Sequence, residues 1–202
     1  AGGSLLLLID QGLFTFEARA AQEIAAQALQ ESFFEALRTE QRTGYIAKSI
    51  PQEHERHLYH TFLVQSNTHT GQDLLGRFEL FLENYLLHLS DTIPLDRFET
   101  LKQSAIVSLK TRYKNLAIKS TLLDRLAFEE GGDFGFVEKR IEALSALSYE
   151  VFVQACHNFF GRLNSKRIAL YVEGALQHPF HYTPLEPSEI SQVVSYEPRK
   201  QL

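Results

Sequence analysis

The sequence predicts an α+β domain, with a single mixed or antiparallel sheet covered by helices on one face. Three observations lead to this prediction. A short apolar run near the start has the character of a strand, two alternating runs follow a long helical segment, and most of the remaining chain has helical periodicity before a last strand-like run. A hydrophobic content of 44% and a charged content of 22% are ordinary for a folded domain.

The first half of the chain contains three of the four predicted strands. Leu5–Ile9 is wholly apolar, as expected of a strand buried on both faces. Apolar residues then recur every three or four positions over Thr15–Leu37, without Gly or Pro, which predicts a helix. Tyr45–Ile50 is predicted as a strand that stops at Pro51, and Leu58–Ser66 as its hairpin partner after a polar loop.

Local signals place the helices that follow. Thr70 with Asp73 three residues later resembles a capping box and should open a leucine-rich helix. Pro94 marks the start of the next helix, which we expect to run to about Asn115. Ser120 is the predicted cap of a short helix that ends at a Gly-Gly pair.

The last third is predicted to hold two helices, Phe136–Leu147 and Tyr149–Phe160, the second capped by Ser148, and the strand "RIALYVEG" at 167–174. Residues 1–176 are therefore assigned to one domain. Residues 177–202 carry four of the six prolines without periodicity and are expected to form an irregular tail. The chain contains no Met, so we expect it to be a piece of a larger protein.

Composition excludes several function classes. A net charge of −5 gives no support for nucleic acid or an anionic membrane as a partner. No apolar run approaches the roughly 20 residues needed to span a bilayer. The single Cys156 cannot form an internal disulfide, and its apolar helical neighbours indicate a buried, unreactive thiol.

Three histidines form the first candidate cluster, because His54, His57 and His60 are spaced three apart. A zinc site needs ligands that converge on one point, whereas residues three apart on a strand point to opposite faces. The sequence also has no H-x-x-E-H or H-E-x-x-H string. We interpret these residues as loop histidines, with a metal site as the alternative.

The second candidate is "LRTEQRTGYIAKS", residues 37–49, where the long helix stops and a strand begins. Arg38 offers a rigid fork of donors, and Tyr45 offers a phenolic donor. Gly44 permits a tight turn that brings both side chains to one surface. The alternative is structural: a helix end closed by basic residues near its dipole, followed by an aromatic strand residue.

These residues carry a resemblance to a known family. "FFEALRTEQRTGYIAKS" followed by a hairpin and "FLVQSNT" resembles the C-terminal half of the insulysin/pitrilysin zinc metallopeptidases. That family usually has E-Q-L-G-Y at this turn, whereas the present chain has Thr43 in place of the leucine. Arg38, Gly44 and Tyr45 remain on the motif.

The resemblance implies a specific role. In that family two halves, each built from two related α+β domains, close around an unfolded peptide. It implies that zinc and the catalytic Glu belong to the N-terminal half, and that the last domain presents Arg38 and Tyr45 to the peptide substrate. The isolated chain should then hold no zinc and be inactive. Two alternatives stay open: a non-catalytic core subunit of the same fold, and an unrelated protein-binding α+β module.

Overall fold

The computed structural model describes residues 2–113 and 115–174. In chain order these residues form β1 (Gly2–Leu13), α1 (Phe16–Phe34), a π-helical turn (Glu35–Glu40), β2 (Ile46–His54), β3 (His57–Ser66), α2 (Gly71–Leu87), α3 (Leu89–Thr92), α4 (Leu95–Arg112), α5 (Leu116–Phe128), α6 (Phe136–Ala146), α7 (Tyr149–Phe160) and β4 (Arg167–Gly174).

The four strands form one antiparallel sheet in the order β2-β3-β1-β4, which confirms the predicted α+β class. Along β1, Leu5, Leu7 and Ile9 are buried while the residues between them are only half-buried. The expectation of a strand buried on both faces is therefore wrong, because an antiparallel sheet with helices on one side buries alternate residues.

The hydrophobic core lies between the buried face of the sheet and the helices. Helices α1, α2 and α7 pack directly against strands of the sheet, and α4 and α6 pack on α1. The helical periodicity of the sequence predicts that six residues pack against the sheet, and all six are buried in one cluster: Ala25, Leu29, Phe33, Phe78, Leu82 and Leu109.

The hairpin formed by β2 and β3 corrects the sequence interpretation. β2 does not stop at Pro51 but continues to His54, and the expected polar loop is a turn of two residues. Both turn residues, Glu55 and Arg56, have left-handed backbone conformations with φ of 47° and 61°. Such a turn matches the twist of the paired strands. Pro51 is tolerated because β2 is an edge strand.

Most predicted helix caps are present. The Thr70 side chain accepts from the Asp73 N–H, and the Ser148 side chain caps α7. The cap predicted at Ser120 is wrong, because the cap of α5 is Asn115, five residues earlier. There the Asn115 side chain accepts from the N–H groups of Ala117 and Ile118.

In the part of the chain that the structure describes, no helix has both the length and the apolar character needed to cross a bilayer. The predicted tail, residues 177–202, lies outside the described residues.

Candidate functional site

The candidate site is the turn that joins α1 to β2. Here α1 passes into the π-helical turn Glu35–Glu40, which contains Arg38. The Gln41 N–H bonds the Ala36 carbonyl at 3.1 Å, so the hydrogen bond spans one residue more than in an α-helix. Short π-helical segments are frequent at functional sites because they redirect side chains.

Thr43 closes this turn from inside the protein. Its N–H and its hydroxyl both donate to the Leu37 carbonyl, at 2.9 Å and 2.7 Å. Thr43 and Leu37 are both fully buried. The preceding Arg42 has a left-handed backbone with φ of 51°, which turns the chain back toward the sheet. The residue that departs from the family pattern therefore places a hydrogen-bonded hydroxyl inside the turn.

Gly44 lies against the backbone of β3. A Cβ atom at this position would stand 1.7 Å from the Gln65 carbonyl oxygen, which is far inside van der Waals contact. Gly44 does not have a positive φ. The requirement for glycine is therefore close approach to another strand, not a left-handed conformation.

Arg38 and Tyr45 meet at the surface of the turn. The Arg38 guanidinium lies over two rings, 4.7 Å from the Phe34 centroid and 5.1 Å from the Tyr45 centroid. Tyr45 is 82% exposed and lies just before β2 begins, not inside the strand as predicted. Arg38 is half-buried, and within the described residues no carboxylate forms an ion pair with it, so its recorded contacts are the two aromatic faces.

Arg77 on α2 connects that helix to the turn, a contact that the sequence analysis did not predict. Arg77 donates to the Gln41 side chain at 2.9 Å and to the Asp73 carboxylate at 2.9 Å. The spacing of Asp73 and Arg77 is the i,i+4 pattern of a helix ion pair, which is visible in the sequence. The reach of Arg77 across to Gln41 is a tertiary contact and carries no sequence signal.

The histidine cluster is not a set of loop residues, because all three histidines lie on the hairpin strands. His54 and His57 face each other as a cross-strand pair, so the argument that residues three apart point to opposite faces fails across the turn. His60 lies on the buried face of β3, with Nε2 2.7 Å from the Ser49 hydroxyl. Burial lowers the pKa of His60 to about 3, so the ring is neutral.

Two other kinds of reactive site, a nucleophilic thiol and a metal centre, were also considered. Cys156 is buried as predicted, and burial raises the pKa of its thiol to about 12. Among residues 2–113 and 115–174, no group of three His, Cys, Asp or Glu side chains is arranged to hold a metal ion. The described residues therefore do not fit a zinc site.

Sequence comparison relates the chain to known proteins. Residues 24–123 match the family model described as "PQQ synthase PqqF-like, C-terminal lobe domain 4". The A-factor-processing enzyme of Saccharomyces cerevisiae is 23% identical over 82% of this chain, which corresponds to 16% of the yeast protein.

Solved structures share the fold. Pitrilysin superimposes with a TM-score of 0.73 at 20% identity, over 91% of this chain and 20% of the pitrilysin chain. A "peptidase M16 inactive domain" from Pseudomonas fluorescens has a TM-score of 0.66 at 14% identity, over 89% of this chain and 42% of that one.

The chain is related to the insulysin/pitrilysin (M16) peptidases and has the fold of a C-terminal domain of these enzymes. It spans about a fifth or less of the length of the yeast relative and of pitrilysin.

Proposed function

We propose that this chain is the substrate-binding domain of a zinc metalloendopeptidase, in which Arg38 and Tyr45 bind the substrate backbone near the scissile bond. The observation that carries the proposal is the contact of the half-buried Arg38 guanidinium with the exposed Tyr45 ring, on a turn that the buried Thr43 closes from inside. Zinc and the catalytic Glu would come from an N-terminal half, as the resemblance to the insulysin/pitrilysin peptidases implies.

The chemistry of the pair fits this role. Peptide hydrolysis develops negative charge on the former carbonyl oxygen, and a donor held in place before the reaction stabilises it. The loss of one such donor typically costs about 2.7–4 kcal/mol in the transition state. The Phe34 and Tyr45 rings restrict the Arg38 guanidinium, so less freedom is lost when it binds a carbonyl or carboxylate.

The test is steady-state kinetics of the full-length protease with a quenched-fluorescent peptide. Tyr45→Phe removes one hydroxyl from an exposed ring and should lower kcat by roughly 100-fold. Arg38→Ala should lower kcat and also raise KM, because the guanidinium would hold the ground-state backbone too. Tyr59→Phe and Arg112→Ala are matched controls on the sheet and on α4, and both should keep wild-type kinetics.

Wild-type kinetics in both site variants would show that Arg38 and Tyr45 have a structural role and do not bind the substrate. That result would favour the alternative of a core subunit that keeps the fold without the chemistry. An effect of the same size in the control variants would show that the assay reports general instability and would also overturn the proposal.

A further inference from the structure

An open cleft of about 590 Å³ lies between the turn that follows α1 and helix α2. At the buried end of this cleft Phe33 contacts Phe81, with ring centroids 5.3 Å apart. At its exposed end a hydrogen bond crosses it, from the Arg77 guanidinium to the side-chain oxygen of Gln41 at 2.9 Å. In the part of the chain that the structure describes, this is the one side-chain hydrogen bond between the turn and α2.

The turn needs a contact of this kind to hold its shape. Residues 39–42 are four consecutive exposed residues. Arg42 has a left-handed backbone with φ of 51°, which is uncommon for a residue other than Gly, Asn or Asp. After Arg42, the buried Thr43 is fixed by its bonds to the Leu37 carbonyl. Before Arg42, the side-chain contact that fixes the chain is the bond from Arg77 to Gln41.

Arg77 is itself held in one orientation. Its Nε donates to the Asp73 carboxylate at 2.9 Å while its Nη1 donates to Gln41 at 2.9 Å. Asp73 lies one helical turn earlier, and its own N–H donates to the Thr70 hydroxyl that caps α2. A planar guanidinium makes both bonds at once from a fixed geometry, which a lysine ammonium does not reproduce. Because α2 packs against β1 and α7, Arg77 ties the turn to the core.

We propose that Arg77 is a positioning residue for the candidate site. Through Gln41 it sets where the Arg38 guanidinium and the Tyr45 hydroxyl lie before a substrate arrives. Gln41 is three residues after Arg38 and four before Tyr45, so its displacement changes their separation. A misplacement of about 1 Å at a reacting centre can lower the rate roughly 100-fold. The inference rests on the proposed function, because it gives Arg77 a role in the same reaction without contact with the substrate.

The kinetic test uses the full-length protease and the quenched-fluorescent peptide. Arg77→Ala and Gln41→Ala should each lower kcat by roughly tenfold and raise KM much less, because a displaced donor loses more in the transition state than in the ground state. The double variant should be no slower than either single variant, since both substitutions remove the same bond. Gln41→Glu keeps an acceptor for Arg77 and should restore kcat to near the wild-type value.

Arg97→Ala is the matched control. Arg97 also connects two helices, because it reaches from α4 to Glu31 on α1 at 3.3 Å. Its side chain is 39% exposed, close to the 32% of Arg77. This variant should keep wild-type kinetics. A loss equal to that of Arg77→Ala would show that any missing surface contact lowers the activity, and would overturn the proposal.

NMR of the 202-residue chain gives a readout that does not depend on activity. The Arg38 side-chain signals are shifted by the ring currents of Phe34 and Tyr45, whose centroids lie 4.7 Å and 5.1 Å from the guanidinium carbon. Arg77→Ala should move these signals, and Arg97→Ala should leave them in place. Urea unfolding should give nearly the same stability for both variants, because partly exposed ion pairs contribute little.

Unmoved Arg38 signals in Arg77→Ala would overturn the positioning role. Wild-type kcat in the Arg77 and Gln41 variants, together with a slow Tyr45→Phe enzyme, would overturn it too and leave the proposed function in place. A double variant whose loss is the product of the two single losses would show that Arg77 and Gln41 act independently, which also contradicts the proposal. Wild-type kinetics of both Arg38→Ala and Tyr45→Phe would instead reject the proposed function and the positioning role with it.

Discussion

Two polar regions of the molecule, the turn after α1 and the end of the β2–β3 hairpin, look alike in sequence but are built in opposite ways. The turn buries Thr43 and presses Gly44 against β3, which leaves Arg38 and Tyr45 at the surface. The hairpin buries its most distinctive side chain, His60, in the core. At the turn, Thr43 and Gly44 make the contacts that hold the fold, so Arg38 and Tyr45 are not needed for that purpose and can bind a ligand.

The charged residues at the hairpin end are used in internal ion pairs. Arg56 donates to the Glu130 carboxylate at 2.5 Å, and Arg125 donates to the other oxygen of Glu130 at 2.6 Å and to Glu53 at 3.3 Å. The Glu130 side chain is only 4% exposed. These contacts hold the hairpin turn to the end of α5, so the charges serve the fold and are not free to bind a ligand.

The largest expected effect tests the close approach at the turn. Gly44→Ala places a methyl group where the Gln65 carbonyl already lies, 1.7 Å from the new Cβ. The backbone must move away, and we expect the free energy of unfolding to fall by about 3 kcal/mol or more. Urea denaturation followed by circular dichroism measures this loss.

Gly76→Ala in α2 is the matched control for that substitution. A Cβ at position 76 meets nothing within 4 Å, and the residue lies inside a helix. The same chemical change should therefore stabilise the protein by about 0.5–1 kcal/mol. Equal destabilisation by both substitutions would show that the turn does not depend on contact with β3.

The next effect concerns the hairpin and its buried histidine. The pKa of His60 is about 3 in the folded chain and about 6.5 in an unfolded one. Between these values only the unfolded chain binds the proton, so the stabilising contribution is present above about pH 6.5 and is lost as pH falls toward 3. The expected slope is about 1.4 kcal/mol per pH unit.

His60→Leu combined with Ser49→Ala removes the titrating ring together with the hydroxyl that it pairs with at 2.7 Å. The difference in unfolding free energy between wild type and this variant should change with pH by the slope given above. Direct observation of the His60 ring protons by NMR should show no titration above pH 4. Titration near pH 6 would mean that the ring is open to solvent and that the contrast with the exposed turn is wrong.

A smaller effect tests the buried bond that closes the turn. Thr43→Val deletes the hydroxyl that donates to the Leu37 carbonyl but keeps the shape of the side chain. That carbonyl still accepts from the Thr43 N–H at 2.9 Å, so the expected loss is about 1 kcal/mol.

The control is Thr100→Val in α4, whose hydroxyl donates to the Asp96 carbonyl at the exposed surface. Its effect should stay within about 0.5 kcal/mol. If Thr43→Val is equally mild, the turn is held by its backbone bonds and by Gly44 alone.

Elements that depend on local signals could be predicted from the sequence. The strands, the long first helix, and the caps at Thr70 and Ser148 follow from periodicity and from side chains that bond nearby N–H groups. Asn115 was not recognised because Ser120, five residues later, offers an equally good cap signal before apolar residues. Only the packing of the helix decides between two such caps.

The hairpin was predicted incorrectly, and some contacts of the site were not predicted, because both depend on tertiary structure. Pro51 can sit inside β2 because that strand is at the sheet edge, and sheet order is not written in the local sequence. Glu55 and Arg56 form a left-handed turn without the Asn or Gly that usually signals it. The resemblance identified Arg38 and Tyr45. The contact of Gly44 with β3 and the hydrogen bond from Arg77 to Gln41 join residues far apart in the chain, so only the three-dimensional structure reveals them.

The smallest expected effect concerns zinc binding, which we expect to be absent at the hairpin histidines. His54 and His57 form a cross-strand pair, but His54 is 79% exposed and the His57 ring is 3.7 Å from the Asp10 carboxylate. Zinc held by a protein needs at least three converging ligands, and no described group of that size is present. Metal analysis of the chelator-washed chain should find well below one zinc per chain, and added zinc should leave Tm unchanged. One tightly held zinc that disappears in His54→Ala and His57→Ala would instead make the hairpin a binding site.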